Sequence, residues 1–216
     1  MVALSVSMAL MFCDVSHTVF GQAIVKPRIL FDESHGPFVW TIEGSKVSFT
    51  IRDGFSSLST SLTSVGFQVD SVKNAPITSG ELEGVSVLVV PPSNRHLSSN
   101  EENVILDFVH RGGGLLLFGE DSYTGQASLA TKFGITPVKA VVCDPVYSLP
   151  IRPFHIRIWN MTAHDITRGV GSYIFDWGQP MIVRPPAVPL AYVGNQSWEE
   201  TDYDWVRQSG EKGGDI

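Results

Sequence analysis

Three short stretches of the chain gather the side chains that could do chemistry. Asp32-Glu33-Ser34-His35 carries two carboxylates and an imidazole, Ser93-Asn94 a hydroxyl and an amide, and Gly119-Glu120-Asp121-Ser122 two carboxylates and a hydroxyl. Carboxylates with one imidazole can ligate a divalent cation, or divide the roles of general acid and general base. Asp32, His35 and Glu120 are the candidates for a metal, and Asp32, His35, Glu120, Asp121 and Ser122 those for catalysis. Glu33, Ser93, Asn94 and Gly119 would complete a ligand-binding rim around them. The competing reading is structural, because Asp32 and His35 can cap loops by bonding to nearby backbone. No His-x-x-x-His and no cysteine pair accompanies these residues, so spacing alone supplies no metal geometry. No cofactor is expected, with a divalent metal as the alternative.

What has to position these groups is an alternation of strands and helices. Arg28-Ile29-Leu30-Phe31-Asp32 is an apolar run ending in a polar cluster, as a buried parallel strand does on reaching its loop. A long connection over 36–53 follows. Phe55, Leu58, Leu62 and Val65 then recur at helical spacing up to a stop at Gly66, and Phe67 to Val72 alternates as a second strand. Val85 to Val90 is the clearest strand. It leads to Ser98-Ser99-Asn100-Glu101-Glu102, where either serine has a glutamate three residues on and can form a capping box. Val104, Ile105, Phe108 and Val109 make the apolar stripe of the helix that follows; Gly112-Gly113-Gly114 ends it, and Leu115 to Phe118 re-enters the sheet. Ser128 to Phe133 reads as a short helix and Val138 to Cys143 as one strand.

The β-α-β-α-β order implies an α/β three-layer sandwich with a mostly parallel, flavodoxin-like sheet. In such a sheet ligands gather beyond the carboxyl ends of the strands near the switch point, where Asp32, Ser93 and Glu120 would sit. Beyond Pro145 short β-like runs broken by Pro and Gly (155–158, 173–175, 181–183, 190–193) predict an irregular, partly antiparallel portion.

Composition narrows the function. With 43% hydrophobic and 17% charged residues among 216, the chain can build a sizeable core. A net charge of −7 without a cluster of Lys or Arg excludes a phosphate-reading nucleic-acid binder. The stretch 199–216 is acidic and Gly-rich, its six carboxylates facing only Arg207 and Lys212. It reads as a tail truncated before the last strand. Val2 to Phe12 is apolar, and Gly21-Gln22-Ala23 has the small-residue spacing of a signal-peptidase site. The expectation is a signal peptide or membrane anchor over 1–23, one α/β domain over 24–198, and an extracytoplasmic location. Cys143 would then stand alone, as a small buried residue.

Three stretches in series carry a family resemblance: Ile29 to Gly36; Val89-Val90-Pro91-Pro92 with the capped helix and Arg111 to Glu120; and His164-Asp165-Ile166-Thr167-Arg168-Gly169-Val170. In order and spacing they resemble the class I glutamine amidotransferase-like domains of uncharacterised exported bacterial and archaeal proteins. Similar domains occur in intraflagellar transport scaffolds, in membrane-associated subtilisin-like proteases and in the trehalose-utilisation family. The resemblance covers about Arg28 to Val193. It implies a cysteine on a Gly-x-Cys-x-Gly elbow, yet the matching stretch is Phe118-Gly119-Glu120-Asp121-Ser122-Tyr123, with no thiol.

These readings converge on a non-catalytic binding or assembly module of an exported or membrane-anchored protein. Its partners would be other domains or proteins of an extracytoplasmic or membrane assembly, with no nucleic acid. One alternative is a hydrolase using the acidic and histidine rim on sugars or peptides, with or without a metal. Another is an accessory domain of a longer subtilisin-like protease. His164-Asp165 reads as a turn, with a catalytic role as the alternative, and Trp159, Tyr173, Phe175 and Trp177 as either core or a sugar- or peptide-binding face.

Overall fold

Ile29-Leu30-Phe31 and Val85 to Val90 have apolar side chains on both faces, and such strands persist only with both faces covered. They form the centre of a parallel sheet in the computed structural model, which describes residues 26–36, 39–42, 45–48, 54–93, 95–119, 125–149 and 152–213. The chain divides into two compact units, Gly21–Ala130 and a second over 131–216.

The first unit runs β1 (Arg28–Asp32), β2 (Val39–Ile42), β3 (Ser45–Ser48), α1 (Ser56–Ser64), β4 (Gln68–Val72), β5 (Val85–Val90), α2 (Ser99–His110) and β6 (Gly114–Leu117), with α3 (Ala127–Lys132) at its boundary. Four strands form one sheet in the order β4-β1-β5-β6, every pair parallel. Numbered by appearance in the sheet this is 2-1-3-4, the flavodoxin-like order, and its switch point lies between β1 and β5. Right-handed crossovers in that order place α1 and α2 on opposite faces. The connection after β1 contains a hairpin of β2 and β3.

α1 has no side-chain cap, and the hydroxyls of Ser61, Thr63 and Ser64 bond back to carbonyls of the preceding turn. Such bonds favour a helix little, so tertiary packing must hold it. Leu62 is buried, and the Phe55 ring at the N-cap lies 5.4 Å from Phe31 and 5.3 Å from Phe118. Gly66 follows at φ 101, a left-handed position that favours glycine. α2 is capped by Ser98 with Glu101 in a complete capping box, which selects one of the two serines the sequence offers. Ile105 and Phe108 of its apolar stripe are buried.

The second unit holds β7 (Ile135–Pro137), β8 (Val141–Cys143), β9 (Ser148–Leu149), β10 (Arg152–Ile158), β11 (Asn160–Met161), β12 (Tyr173–Asp176), β13 (Met181–Val183), β14 (Ala191–Tyr192) and β15 (Trp198–Glu200). They make small antiparallel sheets: β12-β10-β9, β11-β14, β13-β7 and β15-β8. β8 is buried throughout, and its alternation separates two clusters. Val141 and Cys143 pack with Trp198, Phe154, Trp177 and Trp205, while Val142 packs with Ile156, Ile158, Tyr173 and Phe175.

Two local expectations differ. The strand foreseen over Val138 to Cys143 is shorter, confined to β8, because the backbone turns at Ala140, whose N–H bonds to the Val138 carbonyl; the separate strand β7 ends before it at Pro137. The boundary drawn after 198 falls inside β15, where Trp198, Glu199 and Glu200 are buried against β8 despite two acids in three residues. The segment 1–23 lies outside the described residues, and among the described ones no helix is long and apolar enough to cross a membrane.

Gly113 is required by close approach, since a Cβ there would overlap the buried Phe108 ring. Gly113→Ala should lower stability by about 1–3 kcal/mol, the cost of overpacking. Gly171→Ala, where nothing lies within 4 Å of the new methyl, should stay within about 0.5 kcal/mol. Urea unfolding of the two variants checks the contrast.

Candidate functional site

β1 delivers Asp32 to the carboxyl edge of the sheet beside the switch point, and the turn that follows folds His35 back onto it. His35 Nδ1 lies 2.7 Å from Asp32 Oδ2, and its Nε2 lies 3.1 Å from Glu101 Oε1 in the first turn of α2. Asp32 Oδ1 accepts from the Ser34 hydroxyl at 2.6 Å and the Ser34 N–H at 2.9 Å. Glu101 Oε2 completes the capping box with the Ser98 N–H (2.9 Å) and hydroxyl (2.7 Å), while Oε1 also accepts the Ile77 N–H at 2.8 Å. Ser93, just after β5, donates its hydroxyl to the His35 carbonyl at 2.7 Å. Asp32 and His35 are 5% exposed and Glu101 4%, so this network is closed to water. Gly125 lets its neighbours close in on Ser93, because a Cβ there would strike the Ser93 and Arg95 carbonyls.

A ring with a carboxylate on each nitrogen must donate twice, and only the imidazolium can. Accordingly the hydrogen bond to Asp32 raises the His35 pKa above its ordinary 6.5, burial opposes, and the charges of Asp32 and Glu101 add to the rise. For Glu101, burial pushes the carboxyl up, but the Ser98 and Ile77 hydrogen bonds and the His35 charge hold it below its ordinary 4.5. Chemically the group is a tie. The Ser34 hydroxyl sits 3.1 Å from His35 Nδ1, but that nitrogen faces Asp32 and the other faces Glu101. The Ser-His-Asp arrangement that activates a nucleophile needs hydroxyl and carboxylate on opposite ring nitrogens.

The other sequence candidates fall in different places. Glu33 follows β1, its N–H bonded to the Val72 carbonyl. Asn94, Glu120, Asp121 and Ser122 lie outside the described residues, and Gly119 is exposed at their edge. Cys143 is buried, and burial, with the charges of Glu200 and Glu211 adding, pushes its thiol up to about 12. The His164-Asp165 stretch is a turn held by Thr167, whose hydroxyl donates to the Thr162 carbonyl at 2.6 Å. Of the aromatic set, Tyr173, Phe175 and Trp177 pack on the two cores, while Trp159 is 49% exposed. A cleft of about 330 Å³ lies against β1 and β4, lined by Arg28, Ser71, Lys73 and Glu81 among others, and holds none of the candidates.

Two features escaped the sequence reading. Glu101 was legible only as a helix cap; its contact with His35 comes from the crossover that brings the α2 N-terminus to the switch point. The second is in the acidic stretch, where Glu200 is fully buried and lies with Asp202 and Asp204 in a group of carboxylates. Burial raises the Glu200 pKa above its ordinary value, partly offset by the Asp202 backbone N–H. The alternation of acids at 200, 202 and 204 was the available signal.

No family model and no curated protein matches the chain. Among solved structures the fold is similar to the mmIFT52 N-terminal domain, with a TM-score of 0.64 and 22% identity over 76% of each chain. At that identity the likeness is one of fold.

The tie has a defined pH window. Stabilisation from the raised His35 pKa is complete below 6.5 and is lost as pH rises through the folded value; that from Glu101 is complete above 4.5 and is lost as pH falls through its lowered value. His35→Ala leaves two buried carboxylates facing the gap and should cost about 3 kcal/mol. Urea unfolding should show this difference at its largest between 4.5 and 6.5, shrinking as pH rises through the raised His35 value. A difference that stays flat with pH would exclude the imidazolium.

Proposed function

We propose that this chain is a non-catalytic assembly module of an exported or membrane-anchored protein. The observation that carries the reading is the switch point itself. Where a flavodoxin-like sheet offers its ligand site, Asp32, His35 and Glu101 turn their charged heads on one another and are closed to water. The fold likeness to an intraflagellar transport domain supports a scaffold role, and the apolar run Val2 to Phe12 supports export.

The surface best suited to such a role lies on the second unit. Trp159 and Tyr147 are both exposed and stack edge-on at 5.3 Å, the Arg157 guanidinium lies 5.6 Å from the Trp159 ring centre, and exposed Ile174 is paired across the strands with Arg157. Aromatic and arginine side chains of this kind dominate protein interfaces.

The double variant Trp159→Ser/Ile174→Ser should keep its stability within about 0.5 kcal/mol per site, as exposed positions do. Cross-linking in the source cells followed by mass spectrometry should give a discrete partner set with the wild type that the variant loses. Turnover of a sugar- or peptide-hydrolase substrate that disappears in a folded Asp32→Asn variant would overturn the reading.

A further inference from the structure

A carboxylate removed from water must be met by donors or by a cation. Glu200, at the end of β15, is 0% exposed. Its Oε1 accepts the N–H groups of Asp202 at 3.1 Å and Tyr203 at 3.0 Å, and its Oε2 is buried with no hydrogen-bond partner. The Trp198 indole N–H, two residues back, is near enough to favour the charged carboxylate but makes no hydrogen bond. Among the described residues no Lys or Arg forms an ion pair with Glu200, Asp202 or Asp204. Each of the three offers a carboxylate oxygen, and these oxygens lie within 4.8 Å of one another. The orphaned Glu200 oxygen therefore marks a place where one more positive group would satisfy the site.

The sequence around it has a register that fits. Counting Glu200 as first, Asp202 is third, Asp204 fifth, Gln208 ninth and Glu211 twelfth. Those are the positions from which a twelve-residue calcium loop draws its oxygen ligands. Gln208 Nε2 already bridges Asp202 Oδ2 at 3.0 Å and Asp204 Oδ2 at 2.8 Å. Glu211 folds back so that its Oε1 accepts the Thr201 N–H at 3.0 Å and its Oε2 the Gln208 N–H at 2.9 Å. The loop departs from the usual pattern with Glu at the first position and Trp205 at the sixth. Trp205 nevertheless takes φ 62, and its ring lies 4.7 Å from Phe154 and 5.4 Å from Trp177, so core packing supports a turn usually left to glycine.

From the buried, partnerless oxygen of Glu200 and its grouping with Asp202 and Asp204, we infer that the loop Glu200 to Glu211 binds a hard divalent cation of the calcium class. All donors are oxygens, which excludes a preference for soft metals. The register is that of a calcium loop, which supplies Ca²⁺ with protein oxygens, whereas Mg²⁺ demands a near-ideal octahedron and keeps several of its waters. The inference is independent of the assembly reading above.

The test is calorimetric titration of the full chain with Ca²⁺ alone and with Mg²⁺ alone, read alongside tryptophan emission, which Trp198 beside the loop and Trp205 within it should report. Ca²⁺ should bind with a dissociation constant of about 1 mM or below, more tightly than Mg²⁺. Asp202→Asn/Asp204→Asn alters exposed groups only and should weaken Ca²⁺ binding at least about tenfold, with the ion-free melting temperature preserved. Glu200→Gln provides an independent variant and should do the same. No heat and no emission change with Ca²⁺, undiminished binding in either folded variant, or tighter binding of Mg²⁺ would each overturn the inference.

Discussion

The imidazolium of His35 between two buried carboxylates is the interaction on which the first unit depends. It joins the exit of β1 to the first turn of α2, and through Glu101 it also holds the backbone at Ile77. Those segments are distant in sequence, and no run of apolar contacts would fix their register so narrowly. An ion triad of this kind adds little net stability compared with an apolar filling, yet leaves a large penalty when one member is removed. Its effect is to select a single position for α2 over the edge of the sheet. Ser98 belongs to the same arrangement, because the glutamate that caps the helix is also the one that meets the histidine. A helix started one residue later could be capped by Ser99 with Glu102, but it would lose the ion pair that Glu101 makes with His35.

The second unit meets the same constraint differently. Its buried acid, Glu200, has backbone donors on one oxygen and none on the other. The neighbouring thiol of Cys143 carries no positive charge to offer, and the same burial and the same negative charges keep it neutral. Nor does the aromatic cluster of Phe154, Trp177 and Trp205 supply a charge; it fixes the shape of the loop. The unit therefore has a rigid floor and an unsettled carboxylate above it. That combination distinguishes the loop from an ordinary acidic surface, where each carboxylate is hydrated and bears no cost.

The sequence made the parallel half of the fold legible because its signals are local. Val85 to Val90 is apolar but for Ser86, Gly66 ends a helical pattern, and a Ser-x-x-Glu box announces α2. The placement of Asp32, His35 and Ser93 near one another followed from the switch-point rule. What the rule could not supply was direction. Whether His35 faces outward to a ligand or inward to Glu101 depends on where α2 starts in space, and nothing within a few residues of His35 encodes that. The second unit was harder still. Val138 to Cys143 reads as one strand because nothing local marks the turn at Ala140, and the partner that sets where β8 starts, β15, lies far along the chain. Trp198-Glu199-Glu200 reads as surface because a buried acid contradicts every composition rule.

That last failure is itself informative. A sequence that departs from local preference without a visible compensating gain does so most often at a functional or strained position. The inward-facing acids of the first unit have their compensation in His35, so the departure there is closed and structural. At Glu200 the departure remains open, and it coincides with a left-handed tryptophan and with acids at alternate positions. If both units are judged by how their buried charges are met, the switch point is the settled part of the molecule. The unsettled part is the loop after β15, and there a small charged ligand would change the local energetics most.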